Sequence, residues 1–322
     1  MDQAFNLIKD DIKRIESEFR DNVVSDVLLI GKIGEYILKS GGKRLRPLVL
    51  LLSGRLCAYK GPHHIPMAVV VEFIHTATLL HDDVVDNSHL RRGAESANSI
   101  WGNDSSVLVG DYLLSKAFSL AVNTRNFGVL DVLAETTTRM AEGEVLQLTK
   151  HSDITTTEEE YLSVITNKTA VLFSASCRIP AILSASTHEK EKALSDYGME
   201  VGVAYQFIDD CLDYTSKDEE LGKETGNDLR EGKVTMPFIK AYRDASAGEK
   251  DAMKKAMGSD TTGRDQFAEV FGIIKKHRGI EYTMEAARGR IEKAKRSLDV
   301  FEPDVERAAL TAVADHVIER TY

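Results

Sequence analysis

Only six prolines, at positions 47, 62, 66, 180, 237 and 303, interrupt the 322 residues of this chain. Proline removes a backbone donor and clashes with the preceding turn, so a chain this poor in breakers is free to form long helices. The intervals between the prolines read with helical rather than alternating periodicity. Residues 65–83 carry Val69, Val70, Phe73, Ile74, Ala77 and Leu80 at helical spacing, which defines an apolar face. Capping boxes are expected at Thr157 with Glu160 and at Ser186 with Glu189, where hydroxyl and carboxylate satisfy the first free amides. The run from about 279 to 300 is charged and amphipathic, and so is the last segment. No strand pair flanks an NG or DG turn, and no low-complexity linker divides the chain. The expectation is an all-α protein of many helices, with residues 1–322 forming one domain.

Charge narrows the partners. The chain has 41 basic and 51 acidic residues, a formal net charge of -10. Binding nucleic acid through the overall field wants a basic face, so no nucleic-acid partner is expected. Any phosphate ligand must be met by local cations or by metal ions. Cys57, Cys177 and Cys211 form an odd, widely spaced set with no CxxC pair, which fits a reducing, cytoplasmic compartment. The opening MDQAFNLIKDDIKRIE is charged and helical, unlike a signal peptide. No stretch approaches the roughly 20 uninterrupted apolar residues of a membrane span, so stable membrane insertion is not expected.

One acidic motif occurs twice. DDVVD supplies Asp82, Asp83 and Asp86, and DDCLD supplies Asp209, Asp210 and Asp213. Each closes an apolar helical run, and residues four apart share a helix face. Three carboxylates in five residues repel one another, and the negative end of the helix dipole adds to the cost. Two solvated helix ends are the plain alternative. Hard oxygen donors otherwise select Mg²⁺, which takes one or two carboxylates and completes its shell with water and substrate phosphate.

Cations accompany both motifs. SGGKRLRP sets Lys43, Arg44 and Arg46 in a glycine loop before a helix, where backbone amides can approach an anion. HLRRG brings Arg91 and Arg92 after the first motif. GKETGNDLREGKVT brings Lys223, Asp228 and Lys233 after the second.

Taken in order, GGKRLRP, FIHTATLLHDDVVD, RRG, NKTA, YQFIDDCLDY and GKETGNDLREGKVTMP resemble the trans-polyprenyl diphosphate synthases, in particular the long-chain bacterial group. The resemblance covers about residues 40 to 237. It implies the isoprenoid-synthase fold, a multi-helix bundle around a deep apolar cavity, usually as a homodimer. It implies that Asp82, Asp86 and Asp209 hold Mg²⁺, three ions per site, with Asp83, Asp210 and Asp213 close by. By the same likeness Arg91, Lys168, Thr169, Gln206, Lys223 and Lys233 contact an allylic diphosphate. Lys43, Arg46, His75 and Arg92 bind the diphosphate of isopentenyl diphosphate. Taken alone, His75 reads as a core histidine, Lys168 and Thr169 as a helix face, and Gln206 as a buried polar group. His81 has no assigned role, and Trp101 and Cys211 read as packing residues.

The chemistry so implied is ionisation, condensation and elimination. Product length is then a matter of cavity depth, because one helical turn rises about 5.4 Å, roughly an isoprene unit. Ala77 and Thr78, about one turn before Asp82, are small where short-chain relatives carry bulky rings. A long all-trans product of about the octaprenyl class is expected, with Phe73, Phe118 or Leu120 as possible deeper floors. Small residues for close helix packing are the alternative reading. A short-chain synthase, a terpene cyclase and a non-catalytic partner subunit are the rival functions. The second DDCLD argues against the cyclase, and the intact motifs argue against the partner subunit.

Overall fold

The computed structural model describes residues 2–39, 41–91, 93–215, 226–258 and 264–320. Helices α1 (Asp2–Leu7), α2 (Lys9–Val23), α3 (Leu28–Lys39), α4 (Leu45–Leu56) and α5 (His64–Val85) lead into a two-residue ribbon. In it β1 (Leu90–Arg91) pairs antiparallel with β2 (Ala94–Glu95), Leu90 opposite Glu95. There follow α6 (Ala97–Trp101), α7 (Asn103–Val122), α8 (Phe127–Thr149), α9 (Glu158–Ile165), a π-turn (Thr166–Ala170), α10 (Val171–Leu183) and α11 (His188–Thr215). The remainder is α12 (Asn227–Arg230), α13 (Met236–Asp244), α14 (Ala247–Ala256), α15 (Arg264–Lys276), α16 (Gly279–Ser297) and α17 (Val305–Glu319). The all-α expectation holds, the ribbon being its one exception among the described residues.

The bundle is organised by two long helices. The first, α5, packs along α7; the second, α11, runs between α10 and α16. The single apolar face expected for 65–83 is too narrow a reading. Met67, Ala68, Val71 and Thr76, which are not among the expected positions, are buried as well. A helix apolar on every side is a core helix, and burial on that scale holds α5 in place through dispersion and dehydration together. Close approach of α7 is allowed by Gly110, where an added Cβ would collide with the His81 ring. His81 thus belongs to the α5–α7 contact, its Nε2 facing the Val107 carbonyl at 3.3 Å.

Helix starts follow the local chemistry. The Thr157–Glu160 capping box is present in full. At α11 the expected Ser186 cap is displaced by one residue. Thr187 Oγ1 accepts the amide of Lys190 at 3.4 Å, while the Ser186 hydroxyl faces Ser184 at 2.9 Å. The glycine loop enters α4 through Gly41 (φ 69°) and Arg44 (φ 48°), a left-handed pair that turns Arg44 away from Lys43 and Arg46. Arg44 pairs with the buried Glu72 of α5 and lies 6.0 Å from the Phe19 ring.

Helix α7 is the one described helix long and apolar enough to cross a membrane, with a third (33%) of its apolar window buried against the bundle. Asp104, Asp111 and Lys116 interrupt it. It leaves Leu108 66% exposed, and α8 leaves Val145 61% exposed.

Breaking the Arg44–Glu72 pair leaves a buried charge without its counter-ion. Arg44→Ala is expected to cost about 3–5 kcal/mol in chemical denaturation, and replacing both residues by hydrocarbon side chains is expected to cost far less.

Candidate active site

The two aspartate motifs come from helices separated by more than a hundred residues, yet they meet at one cavity of about 840 Å³. Asp82 of α5 and Asp209, Asp210 and Asp213 of α11 line it, together with Lys43, Arg46, His75, Arg91, Lys168, Thr169, Gln206 and Lys233. Asp86, the C-cap of α5, lines an adjoining recess shared with Glu144, Gln147, Tyr161 and Lys233. Lys223 and Arg92 lie outside the described residues.

Within the first motif the three acids do different work. Asp83 is 2% exposed. Arg91 Nε donates to both its oxygens, at 2.7 and 2.8 Å. The same backbone carbonyl of Asp83 accepts Asn98 Nδ2 at 3.1 Å and the Ser88 amide at 2.9 Å. Asp83 therefore fastens the ribbon to α5, and Arg91, while lining the cavity, is engaged inward. Asp86 Oδ2 accepts Lys233 Nζ at 2.9 Å, and Lys233 also bonds Glu231 at 2.6 Å. Burial works against the Lys233 charge, but Glu231, Asp86 and Asp228 outweigh it and hold the ammonium protonated. Lys168 pairs with Glu144, donates to Gln147 Oε1 at 2.7 Å, and stands 3.7 Å from Asp82.

The second motif divides in the same way. Asp210, 2% exposed, accepts the Tyr161 hydroxyl and Gln206 Nε2, the latter at 2.8 Å. Gln206 in turn accepts Thr169 Oγ1 at 3.2 Å. Burial first, then the neighbouring Asp228, pushes the Asp210 carboxyl well above the usual range. Asp213 accepts the backbone amides of Asn227 and Asp228, both at 3.1 Å, and so caps α12. Burial raises it to about 6. Asp209 points into the cavity and meets Arg320 Nη2 at 2.8 Å. Arg320 is 5% exposed and lies over the Tyr205 ring at 4.1 Å.

Residues named for the tail are less uniform. Thr78 and Leu79 line the cavity with Met140. Ala77 does not line it; it is 1% exposed, one turn below His81 on the side of α5 that faces α7. Phe73 packs edge-on against Phe19 at 4.6 Å, so it points to α2 rather than into the cavity. Phe118 and Leu120 pack against the core. Trp101 packs on Tyr36 at 5.1 Å, and Cys211 is buried beside the Ile280 carbonyl. Glu144, Gln147, Tyr161, Glu231 and Arg320 escaped the sequence reading. Glu231 lies inside GKETGNDLREGKVT, beside the residues singled out there, and bonds Lys233 two positions on; the other four lie outside every quoted motif and reach the site through tertiary packing.

Among the described residues no three acidic, His or Cys side chains converge on one metal position. Two sets of carboxylates instead face a common cavity rimmed by cations. Such a donor set suits a hard divalent ion that takes one or two carboxylates and finishes its shell with phosphate and water.

The polyprenyl synthetase family model matches residues 28–274, and the chain belongs to that family. It is 39% identical over 322 residues to the octaprenyl diphosphate synthase of Haemophilus influenzae, covering 100% of this chain and 98% of that protein. A decaprenyl diphosphate synthase from Rhodobacter capsulatus superposes with TM-score 0.93 at 41% identity, covering 99% and 98% of the two chains. A polyprenyl synthase from Caulobacter crescentus CB15, crystallised with calcium and isoprenyl diphosphate, superposes with TM-score 0.95 at 39% identity, covering 99% and 97%. The fold is thus that of the polyprenyl synthases.

Burial, and then Asp82 beside it, pushes Glu144 from 4.5 up to about 7. Below the ordinary value the carboxyl is protonated in both states and carries no penalty. As pH rises through this interval the unfolded chain loses its proton first, so stability falls. Without metal, Glu144→Gln is expected to gain melting temperature over the wild type between about pH 5 and about pH 8. A constant difference across that range would contradict the burial argument.

Proposed function

We propose that this chain is a trans-prenyltransferase that lengthens an allylic diphosphate with isopentenyl diphosphate to a long all-trans product of about the octaprenyl class. One all-helical domain over residues 1–322 would carry the reaction. The observation that carries the reading is that Asp82 of the first motif, the three aspartates of the second, and Lys43, Arg46, Arg91, Lys168 and Lys233 line one cavity. The family and the octaprenyl and decaprenyl relatives support it.

Asp82, Asp86 and Asp209 would hold the divalent ions, for which we infer magnesium and three ions per site; the calcium of the Caulobacter protein supports a divalent cation. Magnesium, when bound, supplies positive charge against the oxygens of a departing diphosphate. Lys168, Lys233, Lys223 and Arg91, with Thr169 and Gln206, would hold the allylic diphosphate. Lys43, Arg46, His75 and Arg92 would hold the second diphosphate across the cavity. Asp83, Asp210 and Asp213 would keep Arg91, Gln206 and α12 in place. The allylic C1–O bond breaks with its electron pair leaving on diphosphate. The double bond of isopentenyl diphosphate attacks C1, and the adduct loses a proton to the released diphosphate. Preorganised cations aimed at the leaving group lower the barrier without reorganising during the step.

The cavity wall at Thr78, Leu79 and Met140 would receive the tail. The exposed apolar residues of α7 and α8, Leu108 and Val145 among them, support a homodimer through this face. We infer a cytoplasmic enzyme without stable membrane insertion.

Incubation with farnesyl diphosphate, labelled isopentenyl diphosphate and Mg²⁺ is expected to give a product ladder ending near eight isoprene units. Products stopping at four units would replace the long-chain reading with a short-chain one, and no incorporation by folded protein would overturn the transferase. Thr78→Phe is expected to shorten the product. Ala77→Phe is expected to destabilise by about 1–3 kcal/mol through overpacking, besides any shortening. On size exclusion, Leu108→Asp is expected to shift the dimer to a monomer.

A further inference from the structure

Lys168 is held by a rail of residues on α8. The π-turn Thr166–Ala170 widens the backbone between α9 and α10, a local irregularity common at functional sites. Helix α8 approaches it closely at Gly143, where an added Cβ would stand 2.6 Å from the Lys168 backbone nitrogen and 3.0 Å from the Asn167 carbonyl carbon. Arg139 Nε, one turn earlier, donates to Asn167 Oδ1 at 3.0 Å. Residues 139, 143 and 147 share one side of the helix, with 144 beside them. Backbone and side chain of the turn are therefore both fixed against α8.

An ammonium has three donors. Lys168 directs them at Glu144 and at Gln147 Oε1, 2.7 Å away, while Asp82 Oδ2 remains at 3.7 Å, beyond hydrogen-bond range. Lys233 behaves differently and bonds Asp86 directly at 2.9 Å. The contrast singles out Asp82 as a carboxylate that its nearest lysine meets at ion-pair distance but without a hydrogen bond.

We propose that Glu144 and Gln147, which belong to neither aspartate motif, are positioning residues that hold the Lys168 ammonium off Asp82 and so keep that carboxylate available to a divalent cation. The inference rests on the reading of Asp82 as a metal ligand given above. Without the two acceptors, the nearest anion for Lys168 is Asp82 itself, and lysine and metal compete for one carboxylate.

The test is calorimetric titration with Mg²⁺ alone, and with Mg²⁺ plus inorganic diphosphate, at about pH 8 on wild type, Glu144→Leu, Lys168→Met and the double variant. Leucine removes the acceptor at 144, which glutamine would keep. Glu144→Leu is expected to weaken Mg²⁺ binding about tenfold, in the range seen when groups supporting a metal ligand are lost. Lys168→Met is expected to bind at least as tightly as wild type, and the double variant to match Lys168→Met. Such non-additivity is the signature of one residue acting through another. An equal loss from Glu144→Leu in the Lys168→Met background would make Glu144 a direct ligand and overturn the proposal, as would unchanged affinity in Glu144→Leu. Should Glu144→Leu fail to fold, Gln147→Ala reads the same effect, expected as about a threefold loss that Lys168→Met cancels. The titration needs no turnover. Metal binding with the expected coupling but no chain elongation would sink the transferase alone, whereas elongation with additive variants would sink this inference alone.

Discussion

Everything in this structure is arranged around like charges that cannot be left alone. Carboxylates from α5 and α11 share one cavity, where burial raises the cost of each negative charge and of their mutual repulsion. The bundle answers in two ways. Some acids are turned inward and satisfied within the protein: Asp83 by Arg91, Asp210 by Tyr161 and Gln206, and Asp213 by the amides opening α12. Others, Asp82 and Asp209 at the cavity and Asp86 in the adjoining recess, have Lys168, Arg320 and Lys233 respectively as counter-charges. Each motif thus combines acids fixed by protein groups with acids that a cation can reach.

That division explains why the supporting helices are buried so completely. A carboxylate serves a metal only if its backbone cannot drift, and α5 is enclosed by apolar contacts along most of its length. The ribbon of β1 and β2, slight as it is, has a purpose in the same scheme. It carries Arg91 back to Asp83 across the end of α5. The π-turn is comparable, since it places Lys168 at the cavity between α9 and α10.

Much of this was legible from the chain. The scarcity of proline and the 3.6-residue periodicity are local properties, and they sufficed for the fold class. The aspartate motifs were legible because three acids at the end of an apolar run conflict with burial unless something compensates. The loop cations Lys43 and Arg46 were legible from their glycines, though the sequence offered no means of telling that Arg44 turns inward to Glu72. All six residues read as the apolar face of α5 are buried, and the reading stopped short of Met67, Ala68 and Val71 because periodicity reports only contrast, of which a helix buried on every side has little. Ala77 was placed along the tail by its distance from Asp82, but adjacent helical residues point about 100° apart, and Thr78 takes the cavity side.

The sequence by itself determined which segments are helical, where the acidic and basic groups concentrate, and that the two aspartate motifs need cations. Those are consequences of composition and spacing within a few turns of one helix. Only the tertiary structure decided that Glu144 and Gln147 meet Lys168, that Lys233 meets Asp86, that Tyr161 meets Asp210 and that Arg320 meets Asp209. These partners are single polar residues on otherwise ordinary helices and turns. Most are distant in the chain from what they touch, and their role exists only once packing removes water from between them, because that is when an unpaired charge becomes costly enough to demand a particular neighbour.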